Sequence, residues 1–501
     1  MYRARVRKQV EMKPRFLMQF NGEMAAENRW EKASEIIPWD LIDEEYSKSF
    51  SREGHPAYSS RLAFGAIYIK ERLNLSDAET VEQIRENPFL QMFLGFMDYS
   101  YERPFDPSLM VHFRKRFGKE FLARVNDEII KTQNQKNTPT EKDDDDSHDD
   151  QDSGTGAPPD DESQDSDAMN TEEIKNSGKL ILDATCAPQD IKHPKDVDLL
   201  NDCRESTEAI IDKLHGTVTG KVTKPRTDRN QARKRYLRFI KSKKPRKQHI
   251  RRAVREQMRY VNRNLNSIEW LVQQGADCSI LSAREWKDIR VSHEVLRQQK
   301  QMYERKEHRV PDRIVSLSQP HVRAIIRGKA RTNVEFGAKV NVSIVNGYAA
   351  IENLSWNPYN EGGELIACVE RYQERYGQYP SVVLADKIYR TRENLRYCKE
   401  NGIRLSGPPL GRPVLDKTKS RESLMIELSD NAERNEVEGK FGLGKRKFGL
   451  DLIMSKLAST SESEISMQFI VMNVEKRIRD FLSQLFIFKK FNFQCSISLF
   501  G

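Results

Sequence analysis

The sequence predicts a mixed α+β fold, in which a helical N-terminal domain is followed by a sheet domain that is interrupted by a basic, all-helical insertion. Three observations lead to this prediction. Residues 33–133 carry helical apolar spacing. After residue 177, short apolar runs typical of strands alternate with amphipathic helical segments. A long, arginine-rich helical stretch separates the first of these runs from the others, so the sheet domain is divided in the sequence.

The composition is that of a soluble protein with several domains. With 501 residues the chain is too long for one hydrophobic core, and 32% of its residues are charged. The basic N-terminus is not followed by an apolar segment, and no run reaches the roughly 18 apolar residues of a membrane helix. The six cysteines form no CxxC pair. We therefore expect a cytoplasmic protein with reduced thiols and no membrane span, secretory signal, disulfide framework or zinc site.

The helical domain, residues 33–133, follows a basic segment of residues 1–32. Ser60 can cap one helix, Ser76 begins a capping box at a second, and Asp106 precedes a first-turn proline at a third. The third helix also carries four basic side chains, His112, Arg114, Lys115 and Arg116. Both a domain that binds DNA ends, which we expect, and a plain helical bundle fit this pattern.

Residues 134–176 are predicted to be a disordered acidic linker, because they contain almost nothing apolar. Within them, residues 141–167 carry thirteen acidic side chains and one lysine. A solvated spacer is the simplest interpretation. A cation-binding tail, or a segment that transiently mimics DNA phosphate, are the alternatives.

The sheet domain is predicted in two parts, residues 177–200 and 316–480, followed by a tail at 481–501. Its first strand is the apolar run 179–182, which ends at Asp183. The Asn346-Gly347 pair between two later runs is a strong hairpin signal. The remaining predicted strands are 322–326, 340–345, 348–354, 382–385 and 403–405, and the predicted helices are 364–376, 392–400, 432–457 and 465–489.

The insertion, residues 201–315, is predicted to form helices over 229–274 and 283–306. Its segment 221–260 has seventeen Lys and Arg residues against two acidic ones. Such concentrated charge, rich in arginine and interleaved with aromatic residues, favours a nucleic-acid partner over a merely solvated helix face. The candidate DNA contacts are Arg251, Arg252 and Arg255.

Three carboxylates are candidates for catalysis and for metal binding. Asp183 and Asp386 each follow an apolar strand, and Glu438 lies on a downstream helix. Acidic side chains that converge repel one another unless a cation lies between them, and Mg²⁺, with Mn²⁺ as a substitute, prefers carboxylate oxygens. On a continuous helix, Arg434, Glu438 and Lys445 would share one face. The nearby GKFGLGKR run lacks the Ser or Thr of a phosphate-binding loop, which argues against an ATPase.

These motifs resemble a known family. The spacing Arg434-x₃-Glu438-x₆-Lys445 resembles the signature of bacterial insertion-sequence DDE transposases. The segments LILDATCAPQDI and VVLADKIYRTRENLRYC resemble those around the first two catalytic aspartates of that family. The segment from IIPWDLIDEEY to NPFLQMFLGF resembles the InsH-type helical domain of the same transposases. The resemblance covers most of residues 33–480.

The resemblance implies an RNase H-like catalytic fold and assigns roles to residues. Asp183, Asp386 and Glu438 would be the metal-binding catalytic triad. Arg434 and Lys445 would contact the transposon end, and Tyr389, three residues after Asp386, is a further candidate DNA contact. The family's signature tyrosine is replaced by Asn431, which bears on end recognition and not on the chemistry. The terminal run FNFQCSISLFG does not resemble the family.

We therefore expect a Mg²⁺-dependent transposase that cuts at the ends of an insertion sequence and joins the freed 3′-hydroxyl to target DNA. Its partners would be the terminal inverted repeats, the target DNA and further copies of the chain, in a bacterial, nucleoid-associated setting. The alternatives are an RNase H-like nuclease without strand transfer, and a catalytically inactive DNA-binding descendant.

Overall fold

The structure is a computed structural model that describes residues 28–51, 56–137, 176–219, 222–326, 334–408 and 417–498. Most of the predicted basic segment and acidic linker, together with the last three residues of the tail, lie outside these ranges. In the described part of the chain, helices surround a single mixed sheet. No helix found there is long and apolar enough to cross a membrane.

The described residues of the N-terminal region form seven helices: α1 Arg29–Ile36, α2 Trp39–Ser47, α3 Ser60–Leu73, α4 Asp77–Glu86, α5 Pro88–Phe93, α6 Leu109–Arg116 and α7 Lys119–Asn137. The side chain of Ser59 caps α3, one residue before the predicted cap, and Ser76 caps α4 as predicted. The predicted third helix begins later than expected, at Leu109. Asp106 accepts a hydrogen bond from the backbone N–H of Ser108 in the turn before it.

The sheet contains the strands β1 Lys179–Pro188, β2 Arg323–Ile326, β3 Val334–Val345, β4 Tyr348–Ser355, β5 Val382–Ala385 and β6 Arg404–Leu405. β1 lies between β3, to which it is antiparallel, and β5, to which it is parallel. β6 extends the sheet beside β5, while β2 and β4 both pair with β3. Asn346 and Gly347 both adopt positive φ and form the predicted hairpin turn between β3 and β4.

The predicted end of β1 at Asp183 is wrong. β1 continues to Pro188, because β3 runs beside it and supplies hydrogen-bond partners as far as Gly337. β5, in contrast, ends at Ala385 as predicted. Asp183 therefore lies in the middle of one strand, next to the end of its parallel neighbour.

The insertion consists of α8 Asp196–His215, α9 Arg229–Ile240, α10 Lys247–Gln273 and α11 Ala283–Arg305. The sequence pattern did not reveal α8, which begins before the predicted start of the insertion. The apolar faces of α8, α10 and α11 form a core of their own, separate from the cores against the sheet. The basic segment is therefore anchored to a folded helical unit.

The last four helices are α12 Leu365–Tyr376, α13 Arg392–Glu400, α14 Lys417–Lys447 and α15 Ala458–Ser498. α14 remains helical through Gly439, Gly442 and Gly444, then ends before Gly449, which has positive φ. α15 lies between the N-terminal helices and the sheet, and residues of all three parts share one hydrophobic core. The predicted helical domain is thus packed against the sheet.

Candidate active site

Asp183 and Asp386 lie side by side at the end of β5. In the parallel pair, Leu182 of β1 is opposite Ala385 of β5, so the next residue on each chain is an aspartate. Ile181 of β1 and Leu384 of β5 face the core that also contains Val437 of α14. Because side chains alternate along a strand, Asp183 is directed to that same face. The predicted approach of the two aspartates follows from this register.

Burial and the charges of neighbouring side chains shift the pKa of Asp183. Burial raises its pKa to about 6, and the carboxylates of Glu361 and Asp386 act in the same direction. A hydrogen bond from the backbone N–H of Ala184, at 2.8 Å, and the Arg434 guanidinium both favour the ionised form. Asp386 is exposed and accepts a hydrogen bond from the backbone N–H of Lys387 at 2.7 Å.

The orientation of α14 is fixed by contacts along one of its sides. Glu433 pairs with Lys179 at the start of β1 (2.6 Å), and Lys440 donates to the carbonyl oxygen of Gly347 in the β3–β4 turn (2.7 Å). Both contacts lie at the end of the sheet where β1 begins. Because these two helix residues are seven apart, they lie within about 20° of each other around the helix axis.

The opposite side of α14 carries the residues of the predicted shared face. Arg434, Lys445 and Glu438 lie roughly 100–140° around the axis from Glu433. That side is directed away from the contacts that α14 makes with Lys179 and Gly347. The electrostatic contact between Arg434 and Asp183 agrees with this orientation.

Glu438 itself is exposed, and it does not form a cluster with the two aspartates. Among the described residues, no three His, Cys, Asp or Glu side chains are close enough together to hold a metal ion. The structure therefore brings Asp183 and Asp386 together, and Glu438 lies on the same side of α14 as Arg434. The donor set is made only of carboxylate oxygens, which suits a hard divalent cation.

The predicted DNA contact at Tyr389 is corrected by its burial. Tyr389 has 0% of its surface exposed, and its hydroxyl donates to Asn341 Oδ1 at 2.9 Å. Its ring packs in the core that contains Leu182, Val383 and Ala385. Tyr389 supports the backbone that follows Asp386 and offers no surface to DNA.

Two residues near the site escaped the sequence analysis. Glu361 belongs to a 3₁₀ turn, Glu361–Glu364, and its charge reaches Asp183. Asn394 of α13 is buried and donates hydrogen bonds to the carbonyl oxygens of Gly362 and Tyr389. No local motif marks either residue, because their roles depend on the contact between two turns that are distant in the sequence.

The three candidate arginines of the insertion are on its surface. Arg251, Arg252 and Arg255 of α10 are all exposed. The Arg251 guanidinium lies 4.0 Å from the ring centroid of Tyr303, and Arg252 pairs with Glu256 at 3.1 Å. Exposed pairs of this kind are weak, so these side chains remain able to meet phosphate.

The basic side chains of α6 are less available for DNA binding than the sequence predicted. Arg114 of α6 is buried and makes two hydrogen bonds to Asp77, at 2.7 and 2.8 Å. Arg116 lies over the ring of Phe50. Two of the four basic side chains of this helix therefore contact the helical region itself.

Two segments of the chain match families of transposases. Residues 383–475 match the transposase DDE domain, and residues 19–116 match the transposase domain DUF772. The resemblance to DDE transposases is therefore confirmed. The DDE match contains Asp386, Glu438, Arg434 and Lys445, whereas Asp183 precedes it. The DUF772 match covers the helices α1–α6.

One relative is named for its locus and not for an activity. The chain is 40% identical over 90 residues to the uncharacterised protein ORF8 in the nfe locus of Rhizobium meliloti. These residues are 18% of this chain and 44% of that protein, so the chain spans less than half of the length of its relative. No solved structure matches the chain.

Proposed function

We propose that this chain is a DNA transposase that cuts at the ends of a mobile element and joins the cut end to target DNA. In the first step a water molecule attacks a phosphodiester at the element's end, and the bond from phosphorus to the 3′-oxygen breaks, which leaves a 3′-hydroxyl. In the second step that hydroxyl attacks a phosphodiester of the target. A new bond to phosphorus forms, and a target 3′-hydroxyl leaves.

One observation carries this proposal: two aspartates converge beside the end of a parallel strand, within a chain that matches transposase families. The parallel pairing of β1 and β5 brings Asp183 next to Asp386. Val437 of α14 packs in the core on the same face of the sheet, and the Arg434 guanidinium favours the ionised form of Asp183. The antiparallel and parallel neighbours of β1 are compatible with the RNase H-like sheet that the resemblance implies.

The carboxylate oxygens of the proposed site are the donors that a hard divalent cation prefers. Asp183 and Asp386 would hold it from the sheet, and Glu438 would approach from α14. Mg²⁺, when bound, would neutralise the clustered carboxylates and the charge that develops on the phosphodiester. Arg434 and Lys445, on the same side of α14 as Glu438, would bind the phosphates beside the one that is cut.

The basic insertion would supply a second contact with DNA. Its exposed arginines on α10 carry no sequence-reading geometry by themselves, so they would bind the phosphate backbone and hold the DNA. Further copies of the chain would join on the two element ends, as the resemblance implies.

Cleavage and end binding can be separated by single substitutions. We expect Asp183→Ala, Asp386→Ala and Glu438→Ala each to abolish cleavage of DNA that carries an element end, while binding of that DNA survives. Glu422→Ala, at an exposed acid in an earlier part of α14, is the matched control and should keep cleavage. Normal cleavage by one of the three variants would remove that residue from the active site.

Metal removal and strand transfer test the reaction itself. EDTA should stop cleavage, and added Mg²⁺ or Mn²⁺ should restore it. Activity that persists in EDTA would contradict the cation requirement. Cut ends should become joined to target DNA, whereas cutting without joining would identify a nuclease. Binding of DNA with no cleavage by the wild-type chain would identify an inactive descendant.

A further inference from the structure

The helix α9 is held to the rest of the insertion along one side. Tyr236 and Phe239 pack against the core of the insertion. The Tyr236 hydroxyl donates to Asp198 Oδ1 of α8 at 3.1 Å, and Arg229 makes two hydrogen bonds to Asp212 of α8, at 2.7 and 2.9 Å. These contacts fix the orientation of α9 and leave its other side open to solvent.

The open side of α9 carries a stripe of four exposed side chains, which fall within about 60° of one another around the helix axis. The stripe consists of Asn230, Lys234, Leu237 and Lys241, the last of which follows α9 with helical backbone angles. Arg233 and Arg238 are also exposed, and each lies about 40° beyond the stripe, on opposite sides of it. All six residues line one shallow hollow on the surface of the insertion.

The cations on this side of α9 are not neutralised. Residues 229–255 contain thirteen Lys and Arg residues and no acidic one. The ion pairs that α9 makes lie off the open side, between Arg229 and Asp212 and between Arg235 and Glu256. Among the described residues, no acidic side chain pairs with the four cations of the open side. Their charge therefore fits a polyanion.

We propose that α9 lies in the major groove of duplex DNA, with the stripe against the base edges and the two flanking arginines on the phosphates of the two strands. The inference rests on the proposed function, which supplies DNA as the partner. With 12 residues, α9 is about 18 Å long, and the major groove admits one α-helix. Duplex RNA does not fit, because its major groove is too narrow for side chains to read.

The residue types of the stripe are those that read bases in this groove. Asparagine pairs with adenine, lysine pairs with guanine, and an apolar side chain contacts the methyl group of thymine. Leu237 is 42% exposed among the cations, so its side chain is free to make such a contact. The arginines of α10 would hold the phosphate backbone nearby, while α9 would supply the sequence preference.

A helix face that binds only phosphate is the alternative, and the two explanations differ in how the DNA sequence matters. If the stripe contacts bases, substitutions in it change which sequences the chain prefers. If the face binds only phosphate, loss of a cation weakens binding to all sequences alike, and loss of the Leu237 side chain has no effect.

The test is selection of preferred sites by the full chain from a pool of DNA duplexes of randomised sequence. We expect Asn230→Ala, Lys234→Ala and Leu237→Ala each to lower the preference for one base pair by about fivefold or more. Ile280→Ala is the matched control for Leu237→Ala, because Ile280 is 41% exposed in the turn between α10 and α11 of the same insertion. It should keep the wild-type preference.

Two further measurements separate base contacts from phosphate contacts. Arg233→Ala and Arg238→Ala should weaken binding to all duplexes alike, and each should flatten the log–log dependence of affinity on salt by about 0.9. Uracil in place of thymine removes the methyl group that Leu237 would contact. It should weaken binding by the wild type and not by Leu237→Ala. Thermal unfolding checks that each variant is folded.

Three outcomes would count against the inference. No sequence preference in the wild type, or an unchanged preference in all three stripe variants, would overturn it, and the proposed function would stand if Asp386→Ala still abolished cleavage. Equal weakening by uracil in the wild type and in Leu237→Ala would also overturn it. Failure of the wild type to bind any duplex would reject DNA as the partner, and the proposed function with it.

Discussion

At the scale of single residues, Asp183 combines partial burial with like-charged neighbours. A carboxyl group in such a place binds a proton more tightly than in water, because its ionised form has lost solvent and faces Glu361 and Asp386. A divalent cation would relieve the same repulsion. Protons and cations should therefore compete for this side chain.

The first prediction follows from this competition. Because the pKa of Asp183 is raised to about 6, Mn²⁺ binding to the DNA-free chain should weaken as the pH falls from 7.5 to 5, by up to about tenfold per pH unit below that pKa. The Arg434 guanidinium favours the ionised form, so Arg434→Gln should move this dependence to higher pH. Binding that does not vary across this pH range would contradict a role for Asp183, and an unmoved profile in Arg434→Gln would contradict the electrostatic contact.

The second prediction concerns Tyr389. Tyr389→Phe removes the hydroxyl that donates to Asn341, whose side chain is fully buried. The unpaired acceptor should lower the free energy of unfolding by about 1–3 kcal/mol. DNA affinity should not change, because the ring has no exposed surface. Urea unfolding and a DNA-binding titration measure the two effects, and weaker DNA binding at unchanged stability would restore Tyr389 as a DNA contact.

The approach of the two aspartates could be predicted from the sequence, whereas the surroundings of the site could not. Apolar runs that precede Asp183 and Asp386 indicate buried strands, and parallel neighbours align such residues. The extension of β1 beyond Asp183 depends on β3, which lies far along the chain. Glu361 approaches the site only because Gly362 allows two distant turns to touch.

At the scale of elements, α14 shows how packing overrides local preference. Glycines weaken isolated helices, yet α14 continues through three of them. A Cβ atom on Gly444 would lie 3.2 Å from atoms of Leu450 and Met472, so glycine allows α14 to lie close to α15 at this position. The sequence predicted this helix over 432–457, and both ends are wrong, because α14 begins at Lys417 and ends at Lys447.

The third prediction concerns the basic surface of α10. Replacement of Arg251, Arg252 and Arg255 by Ala should flatten the dependence of DNA affinity on salt, by about 0.9 in log–log slope for each phosphate that the variant no longer neutralises. The weakening should be similar for unrelated DNA sequences, because phosphate contacts carry no sequence information. DNA-binding titrations over a range of salt concentrations measure the slope.

Arg297 of α11 provides the matched control for this surface. It is exposed in the same helical insertion, where it makes hydrogen bonds to Glu294 at 2.6 and 2.8 Å. Arg297→Ala should leave the slope unchanged. A slope that stays the same in the triple variant would reject α10 as a DNA contact and would support a merely solvated helix face.

At the scale of the whole molecule, α15 joins the N-terminal helices to the sheet. Arg72 of α3 pairs with Glu475 of α15 at 2.6 Å, and Asn473 of α15 donates to both Asn126 of α7 and the carbonyl oxygen of Ala349 in β4. The sequence predicted the helices of this region but not the contacts of α15 with the N-terminal helices and the sheet, because the partners are far apart along the chain. The shared core implies that the two parts unfold together.

Buried charged side chains lie where α3 packs against α15, and they make the stability of the fold depend on pH. Glu71 of α3 is buried, contacts Lys70 at 2.8 Å, and accepts a hydrogen bond from Gln468 of α15 at 3.3 Å. Burial raises its pKa to about 7, against the attraction of Lys70, and the nearby Glu464 carboxylate adds to the rise. The folded state therefore binds a proton that the unfolded chain releases near pH 4.5.

The fourth prediction is the sign of this coupling. Since the folded state binds the proton more tightly, the contribution of Glu71 to stability is greatest below about pH 4.5 and is lost as the pH rises to about 7, a change on the order of 3 kcal/mol. Glu71→Gln keeps the shape and cannot ionise, so its stability should fall less than that of the wild type between pH 5 and 8. Urea unfolding of both chains at several pH values measures this difference. Parallel stability curves across that interval would contradict this prediction. They would mean that Lys70 keeps Glu71 ionised throughout, so that protonation of Glu71 does not stabilise the contact between α3 and α15.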